Sequence, residues 1–336
     1  LMMTTKWLGL ELKNPFVPSA SPLSRSLDAA RQLEDAGAAA IIMYSLFEEE
    51  VRTEAESMVR FLHHQEQGHA EAVDFLPDQA DFPSVSDRYL EQIASLKASL
   101  EIPVIASING TSNSGWLEHA IEIQDAGADA LELNIYYVAS SPWEESSDVE
   151  QRYVDLLKTL KEDINIPINM KLSPFFSSIG NMVKRLENAG VNGVSLFNRF
   201  YQPDINIHSL TLQHSLHPSG SQDALLAMRW IAMLYQRVGC SLGATGGVHN
   251  SQDAIKLLLA GADVVHLCTA LLQKGPEHLA AMIRDLGDWM QEQKFETLHE
   301  FRGRVSQLSE ADTAAFERVN YLRVLDNYSF KPGVQT

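Results

Sequence analysis

The feature that most constrains this chain is a four-fold echo of one short pattern. Leu33-Glu-Asp-Ala-Gly37-Ala, Ile123-Gln-Asp-Ala-Gly127-Ala, Leu186-Glu-Asn-Ala-Gly190-Val and Leu258-Leu-Ala-Gly261-Ala each place a glycine at the end of a helical run, and each leads at once into an apolar segment. A glycine there can take the left-handed conformation that closes a helix, and the apolar run that follows reads as a strand. The pattern is the joint between helix and strand in a repeating βα unit. Placing strands around these joints gives eight: 16–21, 39–45, 103–110, 130–136, 168–173, 193–199, 240–247 and 264–270. Their nearly continuous apolar character suits strands covered on both faces. Helical stretches alternate with them at 27–36, 87–100, 115–126, 149–163, 179–189, 223–238 and 251–260. Eight parallel strands alternating with helices predict an α/β protein of the (β/α)8 or TIM barrel type, with a doubly wound open sheet as the alternative.

A chain of 336 residues is long enough for such a barrel as one domain over 1–336. Residues 306–336 read as a tail that packs on the barrel or on a second subunit, with a helix expected over 310–319. Two connections exceed ordinary turns. Residues 47–86 carry Glu48-Glu49-Glu50, His63-His64 and His69, and residues 201–222 carry His208, His214 and His217. Both follow strand ends, so they are expected to rise over the C-terminal face, where barrels of this type keep their active sites. The histidine spacings match no compact ligand motif, and no metal is expected.

Composition narrows the function classes. The net charge is −18, which argues against nonspecific binding to nucleic acid or to an anionic membrane surface. Cys240 and Cys268 are the only cysteines, too few to ligate an iron–sulfur cluster, and they suit a reducing compartment. No run reaches the roughly 20 apolar residues of a membrane span. The chain reads as cytoplasmic.

The run Leu242-Gly-Ala-Thr-Gly246-Gly247-Val248 is a strand that ends in paired glycines, and Val264-Val-His-Leu-Cys268-Thr269 follows one βα unit later. Glycines after a strand let backbone N–H groups approach an anion, and a helix N-terminus adds positive potential. In a barrel, the loops after the last two strands commonly form a phosphate site. The other strand ends offer Ala20 and Ser21, Tyr44 and Ser45, Asn109, Asn134 with Tyr136 and Tyr137, Lys171, and Asn198 with Arg199. Among them Lys171 is the most informative. Its apolar neighbours would bury the ammonium group unless an anionic or electron-rich partner met it, and a structural salt bridge is the alternative.

Taken in order, Leu8-Gly-Leu-Glu-Leu-Lys-Asn14-Pro-Phe16, Ala130-Leu-Glu-Leu-Asn134, Met170-Lys171-Leu172, Thr245-Gly-Gly-Val248, Ser251-Gln-Asp-Ala254 and Thr269-Ala-Leu271 resemble the dihydroorotate dehydrogenase family over residues 8 to about 304. The resemblance implies an FMN-binding barrel. Gly246, Gly247, Cys268 and Thr269 would hold the FMN phosphate, Lys171 the pyrimidine edge of the flavin, and Ala20, Ser21, Ser45, Asn109 and Asn134 other parts of the cofactor pocket. It also implies a homodimer. The absence of cluster cysteines and of an apolar extension points to a soluble acceptor or a separate redox partner protein.

On the substrate side the chain departs from the family. Tyr44 stands where the family has a lysine, and Asn134-Ile-Tyr-Tyr137-Val-Ala139 replaces the loop that carries the cysteine or serine base. The resulting expectation is an FMN-dependent oxidoreductase of CH–CH groups. It would transfer hydride between flavin N5 and a small substrate other than ordinary dihydroorotate, with Tyr137 or Tyr44 handling the proton and Asn134 and Asn198 orienting the substrate. A true dihydroorotate dehydrogenase of pyrimidine biosynthesis with an atypical base, and a flavin-free barrel that binds a phosphorylated metabolite, are the alternatives.

Overall fold

All four glycine joints form in the same way. Gly37, Gly127, Gly190 and Gly261 have φ of 108°, 101°, 98° and 126°. After each glycine, the next N–H reaches back to the carbonyl five residues earlier: Ala38 to Leu33 at 2.9 Å, Ala128 to Ile123 at 3.3 Å, Val191 to Leu186 at 3.1 Å and Ala262 to Leu257 at 3.1 Å. These bonds satisfy carbonyls that a helix end otherwise leaves without partners. The polar residue that follows at three joints fixes the neighbouring strand. Asp129 accepts from Val104 N–H at 2.8 Å, Asn192 from Ile168 N–H at 2.9 Å and Asp263 from Leu242 N–H at 2.7 Å. Each joint is further held by a cation or amine donor, Lys97 on Asp129, Lys161 on Asn192 and Arg302 on Asp263.

The computed structural model describes residues 1–67, 83–110, 115–215, 217–309 and 314–317, excepting the side chains of 58 and 60–67. In chain order the elements are β1 (Thr5–Trp7), β2 (Leu10–Leu12), β3 (Phe16–Pro18), α1 (Leu27–Asp35), β4 (Ile41–Phe47), α2 (Glu48–Gln67), α3 (Val85–Ser99), β5 (Val104–Gly110), α4 (Trp116–Asp125), β6 (Ala130–Ile135), α5 (Ser146–Asp163), β7 (Ile168–Leu172) and α6 (Ile179–Asn188). They continue with β8 (Gly193–Leu196), β9 (Asp204–Asn206), β10 (Thr211–Gln213), α7 (Ala224–Leu234), β11 (Ser241–Thr245), α8 (Ser251–Ala260), β12 (Val264–Leu267), α9 (Thr269–Lys274), α10 (Glu277–Glu292) and α11 (Ala314–Glu317).

Eight strands lie in the order β3-β12-β11-β8-β7-β6-β5-β4, and all seven pairings between neighbours are parallel. Ala39 N–H donates to Phe16 O at 3.0 Å across the remaining gap between β3 and β4, so the sheet is a nearly closed (β/α)8 barrel rather than an open sheet. The eight expected strands are all observed; six end earlier than expected on the C-terminal side, β5 ends at Gly110 as expected, and β4 runs on to Phe47.

The antiparallel hairpin β1–β2 covers the N-terminal mouth of the barrel. Its Trp7, Leu8 and Leu12 pack with Val17, Ala40, Ile42 and Ile105 in a core cluster separate from the one between barrel and helices. Above this plug runs a buried polar layer. Asn169 Nδ2 donates to Glu132 at 3.3 Å and to Ser195 at 3.0 Å, Ser195 Oγ lies 3.3 Å from His266 Nε2, and His266 Nδ1 lies 3.1 Å from the Val17 carbonyl. Trp7 meets the His266 ring edge-on at 5.4 Å. These polar side chains line a barrel interior that would otherwise be filled by branched aliphatics.

The connection 47–86 opens as the helix α2, which is not among the helices expected from the sequence. Three consecutive glutamates in its first turn favour a helix N-terminus. His69 and residues 68–82 lie outside the described residues, as do the side chains of His63 and His64. In 201–222 the chain forms the hairpin β9–β10, whose Ile205, Leu210 and Leu212 are exposed. Among the described residues no three histidine, cysteine or acidic side chains gather as metal ligands. Of the expected tail, residues 318–336 lie outside the described residues. Arg229 on α7 donates to the Phe316 and Glu317 carbonyls, tying α11 to the barrel.

Candidate active site

A cavity of about 790 Å³ opens at the C-terminal ends of the barrel strands, a volume in the range of small-molecule and cofactor sites. Strand periodicity decides which side chains reach it, because successive residues point to opposite faces. From β6 come Asn134 and, two residues on, Tyr136; from β7, Lys171; from β4, Ser45 and Phe47. Asn198 and Arg199 follow β8, and Ser19 and Ala20 follow β3. Asn109 comes from β5, and Gly246, Gly247, Cys268 and Thr269 close the opposite wall.

The polar groups are held in place by neighbours. Asn198 Nδ2 donates to Asn134 Oδ1 at 2.5 Å, which leaves the Asn134 amide nitrogen as a donor. Ser45 Oγ lies 2.8 Å from Ser107 Oγ. Lys171 pairs with Asn134 and Ser195 in the sheet register, and no ion-pair partner meets its ammonium group among the described residues. Lys171 lines the cavity. Its charge is felt below. Burial pushes the Glu132 carboxyl up, with Lys171 and the Asn169 amide pulling the other way. Burial, reinforced by Lys171, pulls the His266 imidazole down to about 3, so His266 is neutral at physiological pH. Burial raises the Cys268 thiol, against the Lys171 charge.

The two glycines at the end of β11 have separate jobs. Gly246 has φ of 95°, and a side chain built on it would meet nothing within 4 Å. Gly247 has φ of 76°, and the same atom there would stand 2.4 Å from Ala224 N and 2.8 Å from Gly220 O. One glycine keeps the cavity open; the other lets the start of α7 close over the turn. Ser219 reaches the same wall, donating to Thr269 Oγ1 at 3.4 Å with His249 Nε2 at 3.0 Å.

The dihydroorotate dehydrogenase family model matches residues 2–290. The chain belongs to the dihydroorotate dehydrogenase family. Its relatives include the dihydroorotate dehydrogenase B (NAD(+)) catalytic subunits of Thermoplasma volcanium, 24% identical over 90% of this chain and 97% of the relative, and of Methanothermobacter thermautotrophicus, 28% identical over 60% and 69%. The dihydroorotate dehydrogenase A (fumarate) of Lactobacillus delbrueckii subsp. bulgaricus is 26% identical over 78% of this chain and 85% of the relative.

Proteins of the dihydroorotate dehydrogenase family are flavoproteins, generally FMN-dependent, and the residues present fit that group. The open space beside Gly246 is a cradle that any side chain would fill, and Lys171, with no ion-pair partner among the described residues, lines the same cavity. Three of the residues expected in this site lie elsewhere. Tyr44 adjoins Ser45 on β4 and so points the opposite way; its ring meets Tyr89 edge-on at 5.0 Å beneath the Arg25 guanidinium. Burial raises its phenol above the ordinary value, the wrong direction for a base. Tyr137 is out of phase with Asn134 in the same way. Its hydroxyl donates to the Glu144 carboxylate at 2.7 Å and 2.9 Å, and it lines a neighbouring cavity. Ser21 accepts from Leu23 N–H at 3.3 Å as the cap of a short helical turn.

Tyr136 and Arg199, named at strand ends but given no role in the sequence reading, line the cavity, and so do Ser19, Ser219 and His266, which that reading did not offer. For Tyr136 the signal was present, since Glu132, Asn134 and Tyr136 recur with period two. Ser219 arrives from a long loop, and no local pattern marks it.

Proposed function

We propose that this dihydroorotate dehydrogenase-like oxidoreductase uses FMN held in the large cavity and acts on a small CH–CH substrate other than ordinary dihydroorotate. FMN supplies hydride transfer at its N5 atom. The reading is carried by one observation: Lys171, a side-chain-free glycine turn and an Asn134–Asn198 pair share one cavity at the strand ends.

Gly246, Gly247, Cys268 and Thr269 hold the phosphate end. Lys171 stabilises negative charge on the pyrimidine edge of the flavin ring, as a nearby cation does for a reduced flavin. Ala20, Ser45 and Asn109 line the cofactor side. Asn134 and Asn198 fix the substrate's orientation through amide donors already locked to one another. Tyr136, the tyrosine of its turn that reaches the cavity, carries the proton. The departure from dihydroorotate is supported by the 134–139 turn, which offers Tyr136 and no cysteine or serine to the cavity. The relatives named as catalytic subunits support a soluble acceptor or a separate redox protein as the electron partner, and a homodimer remains part of the proposal.

The test is the visible spectrum of purified protein, followed by identification of the flavin released on denaturation. Colourless protein overturns the flavin assignment. Anaerobic mixing with dihydroorotate then separates the two activities, because rapid bleaching would assign ordinary dihydroorotate oxidation and overturn the altered substrate.

A further inference from the structure

A second cavity of about 520 Å³ adjoins the first, and Tyr136 and Tyr201 line both. Its walls are aromatic. Tyr136 stacks on Phe200 with ring centroids 4.1 Å apart, Phe175 tilts against Phe200 at 5.4 Å, and Tyr153 meets Phe176 edge-on at 5.4 Å. The rings do not fill the space they enclose: Phe175 is 67% exposed and Tyr201 56%. Bare ring faces around a concave volume are the composition of a small-molecule site, and flat rings offer offset-stacked or edge-on contacts to another flat ring.

Two polar groups of this annex are engaged within the protein. The Tyr137 hydroxyl donates to Glu144, and Ser173 Oγ accepts from Phe175 N–H at 3.3 Å. Seven of the lining side chains are aromatic, against Ser173 and Gln202 as the non-aromatic polar ones, so ring-to-ring contact is the larger part of what this wall offers. The wall also includes Val138 and Ala139, from the turn that departs from the family's base-carrying loop.

We propose that the annex holds an uncharged aromatic substituent of the substrate, whose reacting carbon–carbon bond lies in the main cavity. The substrate is then larger than a single pyrimidine-sized ring. This inference rests on the reading of the main cavity as the reaction site.

The test uses a matched pair differing by one benzyl group, uracil and 6-benzyluracil, titrated calorimetrically into the purified full chain. The benzyl compound is expected to bind at least about tenfold more tightly. Ala139→Trp, at an exposed position on the annex wall, fills the volume without touching the core, and should reduce that advantage below about threefold while leaving uracil affinity unchanged. Phe200→Leu should reduce it as well. Equal affinities, binding of neither compound, or an advantage that survives both substitutions overturns the inference. Calorimetry reads the annex with or without cofactor, so absence of flavin colour would overturn the functional reading alone.

Discussion

The two glycines at the end of β11 make a paired prediction with opposite outcomes. In Gly247→Ala the new methyl would stand 2.4 Å from Ala224 N, 2.8 Å from Gly220 O and 2.9 Å from the Asp223 carbonyl carbon. All three are backbone atoms, so no side chain can swing aside, and the start of α7 must retreat by about 1 Å to restore ordinary contact. The positive φ adds roughly 1–2 kcal/mol, and overpacking about 1–3 kcal/mol, for a destabilisation of about 2–5 kcal/mol. Gly246→Ala bears only the φ cost, since nothing lies within 4 Å of its methyl, yet that methyl enters the cavity. It should leave stability within about 1–2 kcal/mol of the parent and weaken FMN binding. The assay is urea unfolding of the apo proteins, because bound flavin would add its own stabilisation to either variant. With a slope near 3 kcal/mol/M, Gly247→Ala should lower the midpoint by about 1 M. Equal midpoints for the two variants would refute the close approach of α7 to this turn, and unchanged FMN affinity in Gly246→Ala would refute the cradle.

Lys171→Met should lower the flavin midpoint potential, measured by dye-equilibration titration, by about 30 mV for each ~1.4 kcal/mol of lost stabilisation of the reduced ring; an unchanged potential removes Lys171 from the flavin edge. Tyr136→Phe should slow turnover of whichever reductant bleaches the flavin by about 10²-fold or more if the phenol carries the proton. Tyr137→Phe and Tyr44→Phe should each leave that rate essentially unchanged, and the reverse ranking would restore the out-of-phase tyrosines to the site. His266 is held neutral, with its folded value depressed to about 3 against an ordinary 6.5. Between those values the unfolded chain binds the extra proton, so the His266 contribution to stability is complete above pH 6.5 and is lost as pH falls toward 3. At about 1.36 kcal/mol per unit this is of the order of 5 kcal/mol. Unfolding titrations from pH 7 to pH 4 should show a shallower loss in His266→Gln than in the parent, and parallel curves would exclude His266 as a source of acid sensitivity.

The barrel was legible in the sequence because its signals are local. A glycine three or four residues after a helical stripe, followed by an apolar run, needs no tertiary information to be recognised. The Asp129, Asn192 and Asp263 contacts were hidden because each side chain acts on a strand that begins 21 to 25 residues earlier. The cofactor half of the site read more clearly than the substrate half for a similar reason. Backbone-defined features such as Gly246-Gly247 sit within a few residues, whereas the substrate wall is assembled from β6, the segment after β8 and a long loop. The misplacement of Tyr44 and Tyr137 has a simpler cause. Ser45 and Asn134 were assigned to the cavity together with neighbours of opposite parity, and a strand cannot turn adjacent side chains to the same face. Applying the period of two to Asn134 would have selected Tyr136.

The hairpin that plugs the lower mouth of the barrel links residues that are made at very different times. Leu8 N–H donates to Ser241 Oγ across 233 residues of chain, and Thr5 Oγ1 to the Asp263 carbonyl across 258. At about 5–20 residues per second, the ribosome delivers Ser241 roughly 12–47 s after Leu8. During that interval Trp7, Leu8 and Leu12 can meet Val17, Ala40, Ile42 and Ile105 but lack β11 and β12, which carry Ser241 and His266. The plug therefore closes only once β11 and β12 have left the ribosome, so the N-terminal hairpin is among the last parts of the barrel to reach its final contacts.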